Sequence, residues 1–302
     1  MKRQWVLILS TVFFLYSCQS GETTDESAKF LDAETKVEPE MLIAPEVVAD
    51  IIKSIPSPLE MTAMIKESNA EFSIDRLNNT DNSDLYTSSY SKALNLGVFG
   101  ADLGYINIYE KTHKAFSYLT AVQTLADDLK VGQFFDFNTI KRLAENNSNL
   151  DSVIYISTSG FEKMNTYLSE KERGNISMLI LIGGWIEALY IATDVIHSSE
   201  GVPNQDLMDR IGEQKITLDD LILLLSNYKS QPNVASLLTD LEGLKHIFDQ
   251  VKITYTYGEP EAKEVDGMLV IVDNSTSQIE INIEQLKQIT EAVNLIRNKI
   301  IS

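Results

Sequence analysis

Two runs of the sequence put acids and aromatic hydroxyls at helical spacing. Glu187, Tyr190, Asp194 and His197 step by three, four and three residues, so they share one side of a helix. Asn95, Asp102 and Tyr109 lie seven apart and share another side, in a polar stripe that also holds Ser88 and Ser91. Both runs interrupt apolar text; Met178 to Ile186 contains no charged or hydrogen-bonding aliphatic side chain. A carboxylate in such surroundings must be paired, hydrogen-bonded or protonated. Tyr190 and His197 are candidate partners for Glu187 from within its own helix. The two runs also share the pattern acid-x-x-Tyr-Ile, Asp102 to Ile106 and Glu187 to Ile191. An internal duplication leaving this trace would bring the two acids face to face. Asp102, Tyr105, Glu187 and Tyr190 are therefore candidate ligand-binding residues of an interior acidic and aromatic pocket. A carboxylate network that serves only the structure is the alternative.

Other chemistries fit less well. Asp194-x-x-His197 sets two potential metal ligands one turn apart, as the Glu-x-x-His pairs of di-iron bundles do. Such bundles need two pairs and two more acids, whereas here there is one pair and three histidines in all (His113, His197, His246). No cofactor is expected, and Asp194 and His197 stand only as a weak metal candidate. H-E-x-x-H, G-x-S-x-G and the phosphate-binding G-x-x-x-x-G-K-[ST] are absent. No catalytic residues are assigned, and the reading is non-enzymatic.

The elements that must carry these residues are helical. Leu94, Val98, Ala101, Tyr105 and Ile108 form one apolar stripe, and Leu286, Ile289, Val293, Ile296 and Ile300 form another. Breakers divide the chain into helices over about 59–68, 84–110, 114–129, 139–146, 151–172 and 176–197. Thr217 reads as an N-cap with Asp219 and Asp220 behind it, and Pro232 opens a helix to about Gln250. Gly97, Gly100 and Gly104 in a buried helix point to a backbone, or a ligand, passing close by. Glu187 interrupts the 176–197 helix before it reaches a membrane-spanning length, so a core helix is favoured. Near the C-terminus the period changes to two. Ile253–Tyr257, Met268–Val272 and Ile279–Ile283 read as a small hairpin or three-stranded sheet, with a loop flanked by helix extensions as the alternative. Asn274–Ser277 reads as a turn and Glu259–Asp266 as a solvated charged connector. The expectation is mainly α: a multi-helix bundle or helical array over residues 41–302, one domain, with a small β element at about 252–283.

Composition narrows the function classes. With 25 Lys and Arg against 44 Asp and Glu, the net charge is −19. Such a surface repels phosphate backbones, so no nucleic-acid partner is expected. One cysteine excludes a disulfide framework and a thiolate zinc site.

That cysteine has a particular setting. Lys2 and Arg3 precede an apolar run from Val6 to Tyr16, which is too short to span a bilayer and suits the core of a signal peptide. The run ends in Leu15-Tyr16-Ser17-Cys18, which resembles the lipobox of bacterial lipoproteins. The resemblance implies cleavage after residue 17 and lipidation of Cys18, with a diacylglyceryl thioether and an acylated amine. Several acyl chains together give an effectively permanent membrane anchor. An ordinary secretory signal with an incidental cysteine is the alternative. Residues 18–40 are polar and acidic and read as a flexible tether. Gln19 after the cysteine implies the outer membrane, at either its periplasmic or its surface face.

Lys92–Tyr105 and Gly183–Tyr190 look like segments of mostly helical Bacteroidetes lipoproteins of unknown function. That resemblance covers the chain from about Ile55 onward. It implies a cell-envelope location and a helical body, and carries no activity with it. The leading expectation is a lipid-anchored envelope protein that binds a protein partner or acts as a scaffold. The alternative is a periplasmic or surface protein that binds a small-molecule ligand in the interior pocket.

Overall fold

The computed structural model describes residues 43–56, 58–68, 70–145, 150–198, 204–265, 268–272 and 274–302. Residues 1–17, read as a signal peptide, Cys18 and residues 18–40, read as a tether, lie outside them. Ten α-helices and two short antiparallel β-ladders make up the described chain, so the fold is mainly α with a small C-terminal β element.

Two helices form the centre. Helix α3 (Ser89–Ile108) starts where Ser88 and Ser91 cap each other's backbone in a capping box. Helix α7 (Gly174–Ser198) is apolar nearly all round. It is long and apolar enough to cross a membrane by composition, but 94 % of that stretch is buried inside the protein. These two helices pack against each other more extensively than any other pair. The glycines explain how. A Cβ on Gly97 would run into the Ile180 carbonyl oxygen and the Gly184 nitrogen, and one on Gly183 would run into the Leu94 carbonyl oxygen. The backbones are in direct contact, so the close approach anticipated from the glycines is made by another helix. Gly100 is different: a Cβ there meets nothing within 4 Å.

The remaining helices surround this pair. Helix α1 (Pro45–Ser54) precedes α2 (Pro58–Glu67), which lies against both α3 and α7. Helix α4 (Thr112–Asp128) flanks α3, followed by α5 (Phe137–Glu145) and α6 (Leu150–Glu170). On the other side, α8 (Gln205–Ser226) flanks α7, and α9 (Pro232–Phe248) pairs with α8. The C-terminal α10 (Ile283–Ile301) packs on α7 and α9. Its stripe of Leu286, Ile289, Val293, Ile296 and Ile300 is buried in one continuous apolar core. Each such side chain removed from water contributes about 1.5–3 kcal/mol.

Several connections are tight because helices end in a left-handed residue without using glycine. Glu110, Lys130 and Glu172 all have positive φ. Immediately after them, Lys111, Val131 and Arg173 donate back to the carbonyls of Ile106, Ala126 and Leu168 at 3.0, 2.8 and 2.7 Å. This six-to-one bond closes a Schellman motif.

Between α9 and α10 the chain forms a β arm. Strand β1 (Lys252–Thr256) pairs antiparallel with β4 (Thr276–Glu280), with Ile253 opposite Ile279. Farther along, β2 (Glu261–Val265) pairs antiparallel with β3 (Met268–Val272), with Ala262 opposite Ile271. The root is fixed where Ile279 and Val251 close on Gly212 of α8; a Cβ at Gly212 would strike the Ile279 side chain.

Four local readings are corrected. Thr217 is not an N-cap: α8 begins at Gln205, capped by Asn204, and Thr217 is buried within it. Leu207, Met208 and Ile211 extend the apolar stripe upstream, and that burial outweighs the weak capping signal of Thr217. Glu259–Asp266 is not all connector, since Glu261–Val265 is a strand whose alternation is hidden by its charges. Residues 84–88 are not helix: Thr80–Leu85 is a 3₁₀ turn capped by Asn79, and α3 starts only at Ser89. The final strand is Thr276–Glu280, and Ile283 already belongs to α10, which is capped by Asn282.

The glycines yield a paired prediction. Gly97→Ala or Gly183→Ala forces the two central backbones apart and is expected to cost about 2–3 kcal/mol, the upper range for overpacking. Gly100→Ala adds its methyl to open space and should gain up to about 1 kcal/mol from helix propensity. Urea unfolding of the three variants checks both signs.

Candidate functional site

Asp102 and Glu187 are brought together. The contact between α3 and α7 begins at Leu94 and Gly97 against Ile180–Gly184 and continues at Asp102 and Glu187, so the two helices run in the same direction. Both acids are fully buried. The partner of Glu187 comes from neither Tyr190 nor His197. It is Arg297 of α10, whose Nε and Nη2 each donate to a Glu187 oxygen at 2.7 Å. This two-pronged geometry is the strongest form of the arginine–carboxylate contact. Arg297 Nη2 also donates to the carbonyl of Arg76 at 3.0 Å. The guanidinium lies over the Tyr190 ring, 4.0 Å from its centroid. Burial alone would weaken the charge on Arg297, but the Glu187 carboxylate outweighs it and holds the guanidinium firmly protonated.

Asp102 has no cation of its own. Its Oδ2 accepts from the backbone N–H of Asn78 at 3.1 Å, while its Oδ1 accepts no hydrogen bond. Burial, and then the charge of Glu187, push its carboxyl well above the usual carboxylate range; Arg297 and the Asn78 N–H oppose this only in part. The Asp102 carboxyl is within hydrogen-bonding reach of Glu187. Two ionised carboxylates beside one guanidinium would leave a negative charge uncompensated in the core. A proton on Asp102 would remove that charge and give the orphan oxygen a donor to offer Glu187.

Segment 70–88, which is mostly irregular, closes the site. Asn78 Nδ2 donates to the Tyr86 hydroxyl at 2.9 Å and to Asn95 Oδ1 at 3.4 Å. Asn82 donates to Asn78 Oδ1 at 2.8 Å. Asn95 and Tyr86 donate in turn to the carbonyls of Ile300 and Ile301, at 2.8 and 3.2 Å. The network thus satisfies the last carbonyls of α10, which have no partner within that helix.

A second cluster lies along the same pair of helices. Arg76 Nε donates to Asp194 Oδ2 at 2.7 Å, and its Nη1 donates to the Glu71 carbonyl at 3.0 Å and the Tyr105 hydroxyl at 3.4 Å. Burial works against the Arg76 charge, and its hydrogen bond to Asp194 more than offsets that. The Tyr109 hydroxyl donates to the Ala70 carbonyl at 2.7 Å. Asp194 is therefore engaged by an arginine, and His197 is exposed one turn further on. Among the described residues, no group of three or more His, Cys, Asp or Glu gathers as metal ligands would.

All four candidate pocket residues thus meet in one region, where three of them contact two of the protein's own cations. Glu187 and Tyr190 enclose Arg297, Tyr105 supports Arg76, and Asp102 turns to Glu187. The sequence reading missed both arginines. Arg297 had a visible signal, being a lone cation on the core stripe of α10, four residues after Val293. Arg76 had none, because it lies on a 3₁₀ turn with no periodicity. Comparison of the chain with protein-family models, with curated proteins and with solved structures finds no match.

Two measurements test the network. Arg297→Met leaves Glu187 buried without its cation and is expected to cost about 3–5 kcal/mol, whereas Glu187→Met/Arg297→Met removes both charges and should recover most of that loss. Asp102→Asn keeps the acceptor for Asn78 and replaces the acid proton with an amide donor. A folded-state pKa raised above the unfolded value of about 3.9 means that stability is lost as pH rises from there towards the folded value. Wild-type stability should therefore fall relative to Asp102→Asn by about 1.4 kcal/mol per pH unit above pH 4, until the folded pKa is passed. Urea unfolding of both proteins from pH 4 to 8 reads the difference; a gap independent of pH would show an ionised Asp102.

Proposed function

We propose that this chain is a lipid-anchored protein of the bacterial cell envelope, attached through Cys18 and most consistent with the outer membrane. Its helical body then serves as a non-enzymatic, partner-binding or scaffolding module. The observation that carries the reading is the position of the only cysteine, at the end of Leu15-Tyr16-Ser17-Cys18 behind a short apolar run with Lys2 and Arg3 before it. The interior supports the non-enzymatic part. Glu187 and Asp194 are each held by an arginine, so these two carboxylates are not free to take a proton from a bound molecule. The interior-pocket alternative requires a ligand to displace Arg297 from Glu187, against two short charge-assisted hydrogen bonds.

Metabolic labelling with an alkyne fatty acid in a Gram-negative host tests the anchor. The wild-type chain should carry the label and sediment with membranes. Cys18→Ser should lose the label and leave the membrane fraction. An unlabelled wild-type chain overturns the reading.

A further inference from the structure

The β arm leaves apolar surface uncovered. Strand β3, Met268-Leu269-Val270-Ile271-Val272, contains no ionisable residue, and among the described residues it pairs only with β2. Val270 is 40 % exposed and Ile271 is 73 % exposed. Adjacent residues of a strand point to opposite faces, so solvent meets apolar side chains on both sides of the ribbon. A two-stranded ribbon also keeps one row of unpaired backbone N–H and C=O groups along each outer edge.

The rest of the arm is guarded. Lys252 and Glu280 stand opposite each other at the root and pair at 2.8 Å. On β2, Lys263 and Glu261 pair at 3.2 Å, and Glu259 is exposed just before that strand. Charged residues on edge strands are the usual defence against edge-to-edge association. β2 has that defence and β3 lacks it.

We propose that the free edge of β3 docks an extended segment of a protein partner, apolar at its centre and basic at its ends, which adds to the arm as a third strand. This deepens the partner-binding reading above and rests on it. Backbone hydrogen bonds along the open edge supply the attachment, and the exposed Val270 and Ile271 select apolar side chains. Charge selects the flanks. In sequence, the arm carries Glu259, Glu261, Glu264, Asp266, Asp273 and Glu280 against Lys252 and Lys263, and the whole chain carries −19. A second copy would bring the same excess of negative charge to the same edge, so like-charge repulsion opposes self-pairing, while Lys or Arg at the ends of a foreign strand is attracted. Tyr255 on β1 and Tyr257 just beyond its end are both exposed and offer ring faces to cations.

The test uses the full chain in mild detergent and two fluorescein-labelled peptides sharing the core Val-Thr-Val-Ile-Val, one flanked by two lysines at each end and one by two glutamates. Fluorescence anisotropy at low salt should show the lysine-flanked peptide binding at least tenfold more tightly, with the ratio shrinking at high salt as screening sets in. Ile271→Lys, at an exposed position, should weaken that binding at least tenfold with an unchanged melting curve. Leu223→Lys, at an exposed apolar position on α8, should leave it unaffected. Equal binding of both peptides, no binding, or indifference to Ile271→Lys overturns the proposal. So does a concentration-dependent dimer in sedimentation velocity that Ile271→Lys abolishes, because a second copy would then occupy the edge. Fatty-acid labelling reads the anchor independently, so the failure of one idea is not mistaken for failure of the other.

Discussion

The Glu187–Arg297 pair, with the buried Asp102 beside it, is the constraint from which the rest of the body takes its arrangement. Removing either charge from water costs several kcal/mol, and only the partner at short range with good hydrogen-bond geometry offsets it. Arg297 therefore allows α10 essentially one axial position against α7. At that position the same guanidinium reaches the Arg76 carbonyl. The terminal carbonyls of Ile300 and Ile301 then fall to Asn95 and Tyr86. A buried pair of this kind adds little net stability, but it penalises every misaligned packing strongly. Apolar stripes alone discriminate poorly between one-turn slips. Here a single arginine fixes the register of the C-terminal helix, the irregular segment and the central pair together.

That arrangement depends on how closely α3 and α7 approach. Gly97 and Gly183 let the backbones touch, and this brings Asp102 into reach of Glu187. The juxtaposition required by a duplicated acid-x-x-Tyr-Ile run is present, yet the two tyrosines have separate tasks. Tyr105 is fully buried and accepts from Ser73 and Arg76, whereas Tyr190 is partly exposed beneath Arg297. Whatever their origin, the two acids now differ in chemistry. Glu187 faces a cation. Asp102 faces only an N–H and another carboxyl, which together with burial raises its carboxyl pKa.

Much of this was legible in the sequence, and the failures share a physical pattern. Helices whose apolar stripes face the core could be read from spacing, because burial imposes the period. The acids could be singled out because a carboxylate within apolar text demands a partner. Their partners were harder. Arg297 lies 110 residues from Glu187 and Arg76 lies 118 from Asp194, and no local rule links such positions. Strand Glu261–Val265 was hidden because a ribbon open on both faces needs no apolar alternation. Helix ends at Glu110, Lys130 and Glu172 carry no glycine, so the usual stop signal is missing where the turn is sharpest.

The contrast between interior and arm bears on where function can reside. In the interior, apart from Asp102 Oδ1, the hydroxyls, amides and carboxylates of the site are tied to one another and to backbone carbonyls, and such a network resists rearrangement. A ligand entering there would have to replace several short hydrogen bonds at once. The arm presents the opposite case: an open backbone edge, apolar on both faces, beside acidic neighbours. A docked strand would gain hydrogen bonds without disturbing the core. The proposed lipid attachment at Cys18 would change the demands on such a contact. Confining the body to a membrane surface would raise the local concentration of any co-localised partner, so an edge interaction that is weak in solution would be sufficient there. Under the proposed docking, the helical bundle would hold the arm in place, and selectivity would rest with the short charge-free strand.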